Sequence, residues 1–174
     1  MKTKTIPALA CLLLLGWGAT ACHRGSDAKA NVTLQDFGPA PIVLNIDDHT
    51  LANPNFRLAL WTGSKLQVAL MSIPVGGEIG LEDHPDTDQF LRIEDGQARV
   101  MMGDTKDSLT FVRTAKKDFA IFVPAGKWHN LINTGDKPLK LYSIYAPVEH
   151  PRGTVHKTFE EAEAAEAENH HTLK

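Results

Sequence analysis

Short apolar segments alternate with turn-forming residues along most of the chain. The segments have the length of strands and recur about every ten residues, a spacing typical of an antiparallel sandwich or barrel. No long helical periodicity occurs before residue 158, which argues against an α/β fold. The pattern therefore predicts an all-β domain with nine strands, at residues 41–44, 56–61, 66–73, 89–94, 98–102, 108–113, 119–123, 128–133 and 139–145.

The last part of the chain has a different pattern. Residues 158–161 read Thr-Phe-Glu-Glu, a capping box with Thr at the N-cap and Glu at the third helical position. Ala and Glu then fill the chain as far as Asn169, so we predict a short C-terminal helix. Segment 158–174 carries five Glu and one Lys, a net charge of −4. We expect this helix to be a solvated cap on the barrel, whose charge is unrelated to a binding pocket.

Residues 1–21 have the pattern of a secretory signal peptide. Two Lys precede an apolar run that ends at Gly18, and small residues follow it. The run is too short for a durable transmembrane helix. Cys11 lies inside this segment, so its removal leaves Cys22 without a disulfide partner.

The Ala-Thr-Ala-Cys sequence that ends at Cys22 resembles a bacterial lipobox, with Ala where Leu is usual. The resemblance implies cleavage before Cys22 and its lipidation, and two acyl chains can anchor a soluble domain stably. The alternative is a plain signal peptide cut near Ala21 that leaves Cys22 free. We expect an exported lipoprotein of the bacterial cell envelope, facing the periplasm or the cell surface. Its membrane contact would be through the lipid anchor only, with residues 22–30 as a polar tether.

Composition narrows the class of protein. The chain is 43% hydrophobic and 22% charged with a net charge of −3, which excludes a disordered protein. The mild acidity argues against a basic surface for nucleic acid, so we expect no nucleic-acid partner. Loss of residues 1–21, which hold two Lys and no acid, takes the net charge to −5. In the absence of internal repeats, we assign residues 31–157 to one barrel domain and residues 158–174 to the helix and tail.

Two motifs carry residues suited to chemistry. The first contains Gly76, Glu82, His84, Gln89 and Gly96, at successive spacings of six, two, five and seven residues. Glu82 and His84 are two positions apart, so on a strand they would point to the same face. Gln89 can return to that face on the next strand, after the intervening turn.

The second motif comprises Pro124, Gly126, His129 and Asn133. Together the two motifs resemble the two signature motifs of the cupin superfamily. The second motif matches at every offset except its leading Gly, where this chain has Asp118. The resemblance implies a jelly roll, the double-stranded β-helix of small single-domain bacterial cupins.

The first motif keeps the family's spacing but changes two residues. The family has His where this chain has Glu82, and Glu where it has Gln89. The resemblance extends over about residues 57–148 and implies one divalent metal, whose ligands by position are Glu82, His84, Gln89 and His129. A nitrogen and oxygen set without thiolate suits manganese, which we favour, as well as iron, nickel, cobalt or zinc. The alternative is a metal-free cupin that uses the pocket for polar recognition.

Other residues are weaker candidates. His150 and His156 could form an acid–base pair at the pocket mouth, although such residues more often lie in surface loops. We expect Trp128 and Tyr145 to be core or dimer contacts.

The function that these features favour is metal-dependent action on a small oxygenated molecule, such as a sugar or keto acid. The metal and its single carboxylate leave a charge of about +1, so an anionic or oxygen-rich substrate could complete the site. The chemistry would be that of an isomerase, lyase, decarboxylase or dioxygenase, with the catalytic residues unassigned. The alternative is a non-catalytic module that binds a sugar or small anion at the cell envelope. Either function requires a small-molecule ligand, and a homodimer is left open.

Overall fold

A computed structural model describes residues 32–172 of the chain. The predicted signal peptide, the tether and Cys22 lie outside the described residues. Neither described helix is long and apolar enough to cross a membrane. In chain order the elements are α1 (Ile46–Ala52), β1 (Arg57–Thr62), β2 (Gln67–Ile73), β3 (Asp88–Asp95), β4 (Gln97–Gly103), β5 (Phe111–Lys116), β6 (Ala120–Val123), β7 (Trp128–Asn133), β8 (Leu139–Ala146), β9 (Val155–His156) and α2 (Phe159–Thr172).

The strands form two antiparallel sheets. One has six strands in the order β6-β3-β8-β2-β1-β9, and the other has three in the order β5-β4-β7. A hydrophobic core joins them, with Leu91 and Leu141 from the larger sheet packed against Val100 and Leu131 from the smaller. The predicted all-β, double-stranded β-helix with a short C-terminal helix is confirmed.

Strand β8 shows why the alternating pattern folds in this way. Leu139, Leu141, Ser143 and Tyr145 are buried, while the residues between them are partly exposed. Successive side chains of a strand point to opposite faces, so a period of two puts Leu139, Leu141 and Tyr145 on the core side.

The predicted strand at 41–44 is wrong. Pro39 and Pro41 have no backbone N–H to donate to a ladder, and Val43 is fully exposed. The segment packs instead through Leu44 on the outer face of the larger sheet, against the buried Leu58 and Leu70. It leads into α1, a seven-residue helix that the sequence analysis missed because it is too short to show a period.

Strands β5 and β9 also differ from the prediction. Strand β5 begins at Phe111 rather than at 108, because Ser108 closes a turn with a backbone hydrogen bond to Thr105. Strand β9, which has only two residues, was also missed. Its register on β1 pairs Arg57 with His156.

Helix α2 begins after Thr158 as predicted, and its backbone continues three residues beyond Asn169. The Thr158 hydroxyl accepts a 3.3 Å hydrogen bond from the Glu161 backbone N–H, which confirms the N-cap. An ion pair of 2.7 Å between the Arg57 guanidinium and Glu166 ties the helix to β1. The helix is therefore docked on the barrel, with Glu166 held against a buried arginine.

Candidate metal centre

Three predicted ligands meet inside the barrel. The donor atoms of Glu82, His84 and His129 all lie within 4.8 Å of one another. Glu82 Oε1 is 3.4 Å from His84 Nε2 and 3.3 Å from His129 Nε2. His129 is 2% exposed and His84 is 9% exposed, so both imidazoles are removed from bulk solvent.

The backbone fixes this cluster from two sides. Glu82 and His129 form an antiparallel bridge, in which each N–H donates to the other residue's carbonyl at 3.1 and 2.9 Å. The N–H of Gly126 donates to the His84 carbonyl at 2.8 Å. Gly126 has a φ of +73°, which favours glycine and follows from the Pro124 turn before β7. Contrary to expectation, His84 lies in a loop and not on a strand, so these bonds rather than a pleat direct its side chain.

The outer ring nitrogens are already committed to hydrogen bonds. His129 Nδ1 lies 2.9 Å from the Lys127 carbonyl, and His84 Nδ1 lies 3.1 Å from Glu149 Oε1. A carbonyl or carboxylate at Nδ1 selects the tautomer in which Nε2 carries the lone pair. The Nε2 atoms of both histidines are buried and have no hydrogen-bond partner of good geometry.

Gln89 is placed by β3, as predicted, and is 3% exposed. Its amide Nε2 donates to the Ser143 hydroxyl at 3.1 Å, while its Oε1 is buried without a partner. Gln89 is the register partner of Tyr145, whose ring packs edge-on against His84 at 5.7 Å. The amide is therefore buried next to a residue that contacts His84, and its oxygen is left to coordinate or accept.

Electrostatics bind the cluster together. Burial would raise the pKa of Glu82, but the imidazoles of His129 and His84, 3.3 and 3.4 Å away, outweigh it and lower the pKa. Burial would likewise lower the pKa of His84, but Glu149 and Glu82 raise it to about 10. In the absence of a metal His84 is therefore a cation between two carboxylates. It must lose that proton to act as a ligand.

A cavity of about 460 Å³ opens beside these residues. Leu81 and Trp128 supply apolar wall, so Trp128 faces a cavity in addition to any role as the core or dimer contact that we expected. Helix α2 also contributes to the wall, which corrects the expectation that it is only a solvated cap and that its charge is unrelated to the pocket. The carboxylate residues that line the cavity are Glu82, Asp83, Glu149, Glu163 and Glu166.

The structure separates the two weaker histidine candidates. His150 lines the cavity, and the fully buried Gln67 amide holds its backbone N–H and carbonyl, both at 2.9 Å. Burial and the Arg57 charge lower the pKa of His150 to about 3, so the ring is neutral, and its Nε2 is buried without a partner. His156 lies on β9 beside Arg57 and is not among the cavity-lining residues, so the two do not form a pair.

The donor atoms fit a divalent metal. Two imidazole Nε2 atoms and the Gln89 oxygen are buried without partners, and an unmade hydrogen bond of this kind costs about 1–3 kcal/mol. The Glu82 carboxylate adds the charge that a dication requires. Nitrogen and oxygen donors of this kind suit the divalent transition metals, which would satisfy all these atoms together.

Sequence reasoning missed the residues that support the cluster from other elements. Glu149 and Gln67 act on His84 and His150 across long stretches of chain. Their only sequence signal was the position of Glu149 beside His150, which by itself indicates no contact with His84.

Comparison with known proteins gives the same family as the motifs. The family model described as Cupin domain matches residues 69–145. The protein YrkC of Bacillus subtilis is 57% identical over 149 residues, which cover 83% of this chain and 80% of YrkC.

Solved structures agree. The crystal structure of BH2720 from Bacillus halodurans is 58% identical with a TM-score of 0.74, over 75% of this chain and 98% of that one. A double-stranded β-helix protein from Klebsiella pneumoniae is similar in fold, with 16% identity and a TM-score of 0.52 over 68% of this chain and 100% of its own. Taken with the motifs and the jelly roll, these relatives lead to one conclusion: the chain belongs to the cupin superfamily.

Proposed function

We propose that this protein binds one divalent metal and acts on a small oxygenated molecule, such as a sugar or keto acid, in the adjoining cavity. The observation that carries the proposal is the set of buried, unpartnered donor atoms, Nε2 of His84 and His129 and Oε1 of Gln89. An apolar core would not retain such atoms, because each costs free energy unless it is satisfied.

Glu82, His84, His129 and Gln89 would hold the metal, and manganese is compatible with their two imidazole nitrogens and two oxygen donors. When bound, a divalent ion supplies Lewis acidity that polarises a carbonyl or hydroxyl oxygen. The Glu149 carboxylate orients His84 by contact with the ring's Nδ1, and the Lys127 backbone carbonyl does the same for His129. These contacts fix the ring orientation of both histidines before any ion arrives, and His84 must still release its Nε2 proton to bind one.

His150 is the group best placed to move a proton. Its ring is neutral, its Nε2 is buried without a partner, and it lines the cavity. With a pKa of about 3 the ring is a weak base, so it would accept a proton only from a substrate hydroxyl or carbon acid that a bound metal has made more acidic. The cavity retains a volume of about 460 Å³ and is not filled by Trp128 or Leu81, which favours ligand binding over a purely structural role.

We further propose export and anchoring through a lipidated Cys22, on the strength of the signal-like residues 1–21. Cys22→Ser should release the protein from the membrane fraction, and mass spectrometry of the wild type should find acyl chains on residue 22. An unmodified Cys22 in membrane-extracted protein would contradict this.

The cluster itself can be tested by metal analysis. We expect about one divalent ion per wild-type chain. Glu82→Ala and His129→Ala should weaken binding by more than the roughly 10–100-fold that loss of an outer hydrogen bond costs. Titration calorimetry provides the affinities, and His156→Ala is the matched control outside the cavity. A wild-type protein that binds no stoichiometric metal would refute the proposal.

Orientation by Glu149 can be tested separately. Glu149→Gln replaces the carboxylate at His84 Nδ1 with a neutral amide, and we expect the metal affinity to fall about 10–100-fold while the saturating stoichiometry stays the same. The exposed Asp86→Asn, in the same loop as His84, is the charge-matched control. If Glu149→Gln and the wild type bound metal with equal affinity, Glu149 would not orient His84 for metal binding.

Turnover distinguishes an enzyme from a binding module. The metal-loaded protein is mixed with sugars, keto acids and phenolics. A rise in melting temperature reports binding, and NMR reports conversion of the compound. We expect conversion of a stabilising compound, slowed about 100-fold or more by His150→Gln with the metal content unchanged. His156→Gln should have no effect on the rate. Stabilisation without conversion by the wild type would favour the non-catalytic alternative.

A further inference from the structure

We propose that the cavity beside the metal centre selects ligands that carry an amine over ligands that carry a carboxylate or phosphate. This inference rests on the proposed function of the same site and names the charge class of its substrate. The expected molecule has hydroxyl or carbonyl oxygens for the metal and an ammonium group for the acidic wall.

The charge of the cavity wall is the first support. Five carboxylate residues line the cavity, and none of its lining residues is Lys or Arg. The nearby Arg57 is 2% exposed and engaged by Glu166 at 2.7 Å. A divalent ion and Arg57 would carry three positive charges against those five carboxylates, so negative charge remains in excess even in the metal-loaded protein.

Glu163 is a carboxylate of this wall that no ion pair within the described part of the chain compensates. Glu149 pairs with His84 and Glu166 pairs with Arg57, whereas Glu163 makes no ion pair with any described residue. Burial and the charges of Glu166 and Glu82 raise the pKa of Glu163. A cationic ligand would relieve this repulsion, while an anionic one would add to it.

The acidic wall belongs to a built site and is not only a surface cluster. His84 lines the same cavity, is nine-tenths buried and keeps an unpartnered Nε2. An oxygen-bearing ligand can therefore reach the metal side while its charged end meets the helix α2 side. The charge of the metal ligands alone would allow an anionic substrate. The carboxylates of Glu163 and Glu149 in the cavity wall disfavour it.

Three sugars that differ only at carbon 6 test the charge preference: 6-amino-6-deoxyglucose, glucose and glucuronate. Calorimetry or ligand-observed NMR measures their affinities for the metal-loaded and the metal-free protein. We expect the amino sugar to bind at least about tenfold more tightly than glucuronate, with glucose between them. Added salt should reduce the difference in affinity between the amino sugar and glucuronate, because it screens the charges at the open side of the cavity.

The matched variants are Glu163→Gln, in the cavity wall, and Glu160→Gln, at a fully exposed position on the same helix. Glu163→Gln should narrow the difference between amino sugar and glucuronate, and Glu160→Gln should leave it unchanged, at melting temperatures that show both variants folded. The inference would be overturned if the amino sugar and glucuronate bound equally well, if glucuronate bound more tightly, or if the amino sugar showed no measurable binding. It would also be overturned if the two variants changed the affinities equally. If the protein bound no metal, the proposed function would be refuted but this inference would not. The order in which the three sugars bind to metal-free protein would still test the acidic wall.

Discussion

Two backbone hydrogen bonds between Glu82 and His129 join the first motif to strand β7. They place a carboxylate and an imidazole side by side although the residues are far apart in sequence, and Glu82 Oε1 then lies 3.3 Å from His129 Nε2. The Gly126 N–H donates a hydrogen bond to the His84 carbonyl and so holds His84 beside the other two residues. The site thus depends on main-chain pairing, which the closed barrel supplies and a single strand could not.

The same arrangement concentrates charge and unmade hydrogen bonds in one place. Burial opposes the ionised Glu82 and the protonated His84, but His129 and His84 stabilise the carboxylate, and Glu149 and Glu82 stabilise the imidazolium. Buried polar groups in this position cost stability unless a partner satisfies them. A divalent ion satisfies the imidazole nitrogens and the carboxylate together, so the cluster is better explained by a ligand than by a structural role.

Much of the fold could be predicted from the sequence, because alternation along strands such as β8 is a local signal. The exceptions have physical causes: prolines removed the strand predicted at 41–44, and β9 forms only because β1 offers it an edge. The ligand residues could be predicted from the motifs. The support from Glu149 and the acidic wall from Glu163 could not, because the docking of distant segments creates both.

The most direct test of the account is a crystal structure of the protein grown with Mn²⁺, with anomalous diffraction to locate the ion. The account predicts an anomalous peak between the Glu82 carboxylate, the Nε2 atoms of His84 and His129 and the Gln89 oxygen. Density without a peak there, with His84 still paired with both Glu82 and Glu149, would contradict it.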